Sequence, residues 1–392
     1  MRRVLDFWRV SEHPHRRLIL ILQIVGLVWV LLNFALLKHQ GKDLFWDLEV
    51  YRQAVAVMSA GGDPYAPTGG LFFVYPPLVA EVFRALGTEG LTLVLSVMFA
   101  ISFAMFALVG RQILIWSAFI SAAIFFAHPS LSIALMTGNL TIFLHFFIVA
   151  SLFALPRFGK GPLVVAVLAA SLIKPYYLAY GLALFVLEGV TPRNVVIFLS
   201  SILFVALAYF AQYLLMPDMF HRFLGALSAQ ALGEAAGGPG RDVGRGAYYF
   251  FADRFERGPA LILHFAVTGA ISLLILRAGR AAAERMTPED RVLFLILIAT
   301  ICAIFLNPRL KVYDWAVLQA AAIAGFLMLT LYRNRSVLPL VAMLFVMVVV
   351  EVILPALPGQ SFWPDQIKWI VVVYGAMGLL AWELSRFNRL PP

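Results

Sequence analysis

Residues 46–65, WDLEVYRQAVAVMSAGGDPY, place a carboxylate where an amphipathic helix has least use for one. At about 100° per residue, Glu49, Arg52, Gln53 and Ala56 share one side of a helix expected over Asp47–Met58. Leu48, Val50, Tyr51, Ala54, Val55 and Met58 share the other, with Asp47 in their middle. Two roles suit it. Partial withdrawal from water disfavours a carboxylate's charged form and raises its pKa, which would make Asp47 a proton acceptor for a hydroxyl near neutral pH. An Asp at a helix start also caps backbone N–H groups, and the two roles are compatible.

Groups able to meet an anion are Lys174, beside Pro175, Arg241, Arg245 and Arg254 in a glycine-rich stretch, and Arg309 and Lys311 in NPRLKVYD. Arginine offers phosphate a planar fork and lysine a point charge. Each has a plainer use: a Lys ending an apolar run extends toward headgroups, and outward arginines meet anionic lipid. The 216–258 stretch, with glycines at 233, 237, 238, 240, 244 and 246, suits an ordinary mobile loop first and, second to that, a lid closing over phosphate. Its Tyr248, Tyr249, Phe250 and Phe251 fit sugar stacking or an interfacial aromatic belt. His128 and His145 read as satisfied core residues. Neither a convincing metal-ligand spacing nor a phosphate-binding glycine loop or nucleophile elbow is present, so no cofactor and no divalent metal is expected.

These residues need a scaffold, and composition says which kind. Of 392 residues, 62% are hydrophobic and 13% charged, against roughly 25% charged in soluble domains. Apolar runs long enough to cross a bilayer recur throughout, so the expectation is an all-α, polytopic integral membrane protein forming one domain over 1–392. About twelve spans are expected, near 18–37, 91–110, 112–127, 138–155, 162–173, 176–188, 195–215, 259–276, 292–306, 315–331, 337–354 and 367–384. The first is too long for a signal-peptide core and reads as a retained span. The short pair flanking Lys174-Pro175 is expected to be broken or tilted. Cys302, the single cysteine, lies within a span and cannot form an internal disulfide.

The formal net charge of +9 does not imply a nucleic-acid partner. Lys and Arg collect in the loops of one face, with PRFGKG, EGVTPRN, RAGRAAAERMTPEDR, YRNRS and both termini, which marks that face as cytoplasmic. The stretches with chemical interest fall on the other face: 38–90, the turn ending at Asn139, Lys174-Pro175, 216–258, NPRLKVYD and 355–365. Within 38–90 two interfacial helices are expected, separated by GGDPY, where Gly61-Gly62 ends the first and Pro64 prevents its return. Such helices bury one face about 5–10 Å into the lipid boundary.

The order DLEVYRQA, GGDPY, FVYPPL, followed by a Lys-Pro between apolar runs and a Pro-containing late turn, resembles glycosyltransferase family 87 over essentially the whole chain. The resemblance implies a C-type glycosyltransferase fold and transfer of one sugar, mannose favoured, from a polyprenyl monophosphate to a glycolipid or lipid-linked glycan. It puts the catalytic base at Asp47. It also implies roles near substrate for Tyr51, Asp63, Tyr65 and Tyr75 in the first loop, for Asn139 and for Lys174. Where many members carry Ser-Pro and then histidines, this chain has Asn307, Pro308, Tyr313 and Asp314, which leaves arabinose, glucose or a uronic acid open as the donated sugar. The implied setting is a bacterial inner membrane with the site facing the periplasm. A lipid-glycan or solute carrier is the alternative of another class; carriers tend to hold ionisable groups near the midplane, whereas these gather at one face.

Overall fold

Where lipid replaces water, backbone polar groups must be satisfied within their own segment. Every regular element among the described residues is accordingly helical. The computed structural model describes residues 46–66, 73–108, 137–235, 246–252, 254–333 and 365–388, with single positions between 21 and 39. The helices are α1 (Trp46–Ser59), α2 (Pro77–Leu108), α3 (Leu140–Phe158), α4 (Gly161–Ile173), a 3-10 helix (Pro175–Leu182) running into α5 (Ala183–Glu188), and α6 (Pro192–Leu215). They continue with α7 (Pro217–Ala235), α8 (Ala247–Ala252), α9 (Arg257–Ala283), α10 (Pro288–Phe305), α11 (Val312–Arg333) and α12 (Asp365–Asn388).

Among the described residues, five helical segments are long and apolar enough to cross a membrane: Pro77–Ser102, Leu140–Phe158, Pro192–Leu215, Arg257–Ala283 and Tyr313–Thr330. The spans expected at 112–127 and 337–354 lie outside the described residues, as does most of 18–37. Burial sorts the helices into layers. The Tyr313–Thr330 window is 94% buried and forms the centre with α10, whereas the Pro192–Leu215 window combines a mean hydropathy of 2.2 with only 11% burial. On α6, Val196, Leu199, Leu203, Leu207, Phe210 and Leu214 are all exposed. That three-and-four spacing makes an apolar stripe pointing away from the protein, the face expected of a helix solvated by lipid.

Both breaks in the helical register have a local cause. Pro175 has no amide proton and disfavours helical geometry in the residue before it, and Lys174 is extended at φ −143°, ψ 111°. The chain reverses there. Lys160 at the start of α4 meets Glu188 at the end of α5 at 2.5 Å and Asn194 Oδ1 at 2.6 Å, so α4 and the 3-10/α5 arm form a hairpin with Lys174 at its tip. The second break is Gly87, at φ 65°, ψ 179°, which separates the first ten residues of α2 from its long apolar part.

The first loop is closed by its own turn chemistry. Gly61 at φ 77° ends α1, with Gly61 N–H donating to Met58 O and Gly62 N–H to Val57 O, a Schellman pattern. Asp63 Oδ1 accepts the Tyr65 N–H at 3.0 Å, and the Tyr65 hydroxyl donates to Tyr75 O at 2.9 Å, tying the two sides of the loop together.

Gly87→Ala places a side chain in a region that costs non-glycine residues about 1–3 kcal/mol, even though a Cβ there would meet nothing within 4 Å. Thermal unfolding in detergent is expected to show a lower midpoint for Gly87→Ala. Gly90→Ala, whose Cβ would make ordinary contact with Leu86 at 3.4 Å, is expected to leave the midpoint unchanged or raised.

Candidate functional site

The carboxylate on the apolar side of α1 is explained by what lies opposite. Asp47 and Tyr51, one turn apart, project together onto the first residues of α3. Asn139 caps that helix: its Oδ1 accepts the Thr141 N–H at 2.9 Å, while its Nδ2 donates to Asp47 Oδ2 at 2.7 Å. The Tyr51 hydroxyl accepts the Leu140 N–H at 3.2 Å and lies 2.7 Å from the Tyr75 hydroxyl. Thus α1 supplies partners for backbone donors that a helix start leaves open, and Asp47 sits where a helix dipole favours negative charge. Burial holds the Tyr51 and Tyr75 phenols well above the usual tyrosine range, with the Asp47 charge adding to it. They stay protonated and can donate.

Asp47, Tyr51, Tyr75 and Asn139 line one wall of a cavity of about 390 Å³. Lys174, Arg309 and Lys311 line it too, as do Asn307, Tyr313 and Asp314. Lys174 Nζ donates to Thr141 Oγ1 at 2.6 Å and faces the rings of Tyr75 and Tyr313 at 5.5 and 5.7 Å. Among the described residues no carboxylate forms an ion pair with it. Burial lowers the ammonium from its ordinary value to about 8, with Asp314 opposing and Arg309 adding to the shift.

Asp314 is spent on structure. Its Oδ1 accepts from His145 Nε2 at 2.7 Å and from the Tyr176 hydroxyl at 3.1 Å. Its Oδ2 accepts from Asn307 Nδ2 at 3.1 Å and from the Lys311 N–H at 2.8 Å. The last of these is the reciprocal half of a capping box at the start of α11. Four donors engage the carboxylate's acceptor sites, so Asp314 lines the cavity while tying together the elements that frame it.

The remaining expectations divide. Asp63 and Tyr65 do not line the cavity. Asp63 makes the loop turn and lies 3.6 Å from Arg222, and Tyr65 packs against Phe73 and Phe223, so both shape the loop and do not touch the cavity contents. Arg254 is exposed, donates to Phe250 O at 2.8 Å and stacks on the Phe250 ring at 3.7 Å; it is not part of the cavity. Arg241 and Arg245 lie outside the described residues. The 216–258 stretch is not simply a loop: Pro217–Ala235 is helix α7, whose Phe220, Phe223, Leu224 and Leu227 close the cavity with an apolar wall. Their spacing of three, four and seven residues was the signal that could have revealed it. Gly246 packs on the turn that carries the cations, where a Cβ would come within 2.8 Å of Pro308 O.

No family model, curated protein or solved structure matches the chain. The chemistry must therefore be read from geometry. One end of the bundle gathers a carboxylate held by an amide, three cationic side chains, phenol donors and an apolar wall around a single space. That set can remove a proton from one group, neutralise an anion and accommodate a hydrocarbon chain beside them. Among the described residues no group of three or more His, Cys, Asp or Glu side chains could hold a metal ion.

Because Lys174 loses its charge as pH rises through about 8, its amine is nucleophilic far below the ordinary lysine range near 10.4. Competitive acetylation of the purified protein across pH 6–11, read by mass spectrometry, is expected to give a midpoint for Lys174 near 8. A midpoint at the ordinary value would show that the ammonium is solvated.

Proposed function

We propose that the protein is an inverting, membrane-embedded glycosyltransferase that moves one sugar from a polyprenyl monophosphate to a hydroxyl of a glycolipid or lipid-linked glycan. The observation that carries this reading is the shared cavity, in which Asp47 stands with Lys174, Arg309 and Lys311 beside the apolar wall of α7. A prenyl-linked donor brings an anion and a hydrocarbon tail together. The cavity offers a match for each.

In the proposed reaction the Asp47 carboxylate takes the proton of the acceptor hydroxyl. The acceptor oxygen attacks the anomeric carbon, and the bond from that carbon to the phosphate oxygen breaks with its electron pair leaving on the phosphate. The products are the extended glycan, the prenyl monophosphate and a proton carried away through Asp47. Negative charge grows on the departing phosphate, so fixed cations stabilise the transition state more than the bound donor. Asn139 keeps the carboxylate aimed, and the Tyr51/Tyr75 pair, with two hydroxyls and one mutual hydrogen bond, has one O–H left to donate to a sugar or phosphate oxygen. Direct displacement inverts the anomeric centre, so a β-linked donor gives an α-linked product.

The resemblance to glycosyltransferase family 87 favours mannose. Tyr313, on the cavity wall in the turn where many members carry histidines, makes polyprenyl-phosphate arabinose, glucose and uronic acid the comparison donors. The same resemblance and the distribution of basic loops support a bacterial inner membrane, twelve spans of the C-type fold and a site facing the periplasm.

Purified protein supplied with a polyprenyl monophosphate sugar and a membrane glycolipid extract is expected to form a glycosylated lipid and free polyprenyl phosphate. Asp47→Asn is expected to lower transfer by about 10²–10⁴-fold, the range for a positioned base, while polyprenyl-phosphate binding is largely kept. Turnover retained in Asp47→Asn would remove this residue from the mechanism. Asp63→Asn, which keeps an acceptor for the Tyr65 N–H and loses the charge facing Arg222, is expected to stay active.

A further inference from the structure

His145 lies in the second turn of an apolar helix and is 1% exposed, and it does not line the cavity described above. Its two nitrogens have different partners: Nε2 is 2.7 Å from Asp314 Oδ1 and Nδ1 is 2.7 Å from the Tyr180 hydroxyl. A carboxylate only accepts, so Nε2 carries a proton toward Asp314, and Nδ1 meets the Tyr180 hydroxyl. The order runs from Tyr180 through His145 to Asp314, and from Asp314 onward to Asn307 Nδ2 and the Lys311 N–H. Asn307 Oδ1 in turn accepts the Arg309 N–H at 3.0 Å. The last three of those bonds end on the turn that carries Arg309 and Lys311.

We infer that His145 is a positioning residue: acting through Asp314, it locks the 307–311 turn so that Arg309 and Lys311 stand fixed on the cavity wall opposite Asp47. A turn placed only by its own backbone would let two long cationic side chains wander. A preorganised cation needs no reorganisation when charge develops, and the rigidity has to come from something outside the turn. The α3 helix supplies it, across a sequence separation of 169 residues. The choice of histidine follows from reach and polarity, because one planar ring bridges two polar groups in a packed interior where an unpaired hydrogen-bonding atom is costly. The identity of the anion that the two cations meet rests on the reading under "Proposed function"; the locking of the turn does not.

The test measures the lock and the ligand separately, on the full-length protein in nanodiscs. Hydrogen–deuterium exchange reads the backbone of 307–311, and binding is measured with a synthetic polyprenyl monophosphate. His145→Phe keeps a ring and loses both hydrogen bonds, so exchange in 307–311 is expected to quicken by about tenfold or more, with a comparable loss of affinity for the probe. His145→Gln, whose amide nitrogen has similar reach to Nε2, is expected to recover most of both. Leu163→Ala, a buried truncation at the far end of α4, is expected to lower thermal stability without selectively changing exchange at 307–311. Should His145→Phe fail to fold, Tyr180→Phe removes only the outer partner and is expected to quicken exchange in the same segment to a smaller degree. Unchanged exchange in the folded variants overturns the inference whatever the probe does. Quickened exchange in a protein that never binds the probe keeps the lock and overturns the phosphate-lipid reading.

Discussion

A single side-chain amide holds the two halves of the site in register. Asn139 cannot cap α3 without presenting its Nδ2 to the same side, and the group that receives it is the Asp47 carboxylate. Remove Asp47 and the Nδ2 of the buried Asn139 loses its acceptor, where an unmet hydrogen bond costs about 1–3 kcal/mol. The placement of α1 against α3 therefore does not depend on shape alone. Tyr51 adds a second tie one turn later through the Leu140 N–H. Everything on the Asp47 side of the cavity, including the packing of Tyr75 and Phe83 against Tyr51, is referred to that helix start.

The opposite side follows the same rule with the signs exchanged. Asp314 is a buried anion with four donors, and those donors come from α3, the 3-10 helix and the turn before α11. An anion satisfied in this way is a structural joint. Asp47, only half-buried and facing the cavity, is placed for chemistry. The two aspartates thus divide the work by surroundings, not by residue type. Lys174 belongs to neither: a hydroxyl and two ring faces hold it, and these position an ammonium without neutralising it, as an anion-binding role requires.

Much of this was legible in the sequence, for identifiable reasons. The apolar side of α1, the Gly61-Gly62 stop and the break at Lys174-Pro175 are short-range effects, set by helical periodicity and by the conformational limits of Gly and Pro. Asp47, Asn139, Lys174, Arg309 and Lys311, expected on one face from the distribution of loop charge, line one cavity. Three features were out of reach of such arguments. The pairing of His145 with Asp314 is a tertiary contact with no local trace. The engagement of Asp314 by four donors depends on tertiary surroundings that no motif carries. Helix α7 was hidden differently: its three-and-four apolar spacing was present, but the glycines that follow it drew the whole segment into one loop.

That helix changes what the cavity can hold. Charged walls alone would describe a site for a small anion, solvated on its open side. With Phe220, Phe223, Leu224 and Leu227 on the facing wall, an anion bound at Lys174 would have apolar surface within reach, which favours a ligand carrying its own hydrocarbon. Leu224 and Leu227 are also 43% and 37% exposed, so the wall is continuous with the outside of the bundle and is not sealed behind it. On α6, the neighbouring helix, the exposed apolar stripe leads up to Leu214 and Leu215 just before α7 begins. A chain lying along that stripe could pass beneath α7 while its charged end stays among the cations, an arrangement that water-soluble substrates would not need.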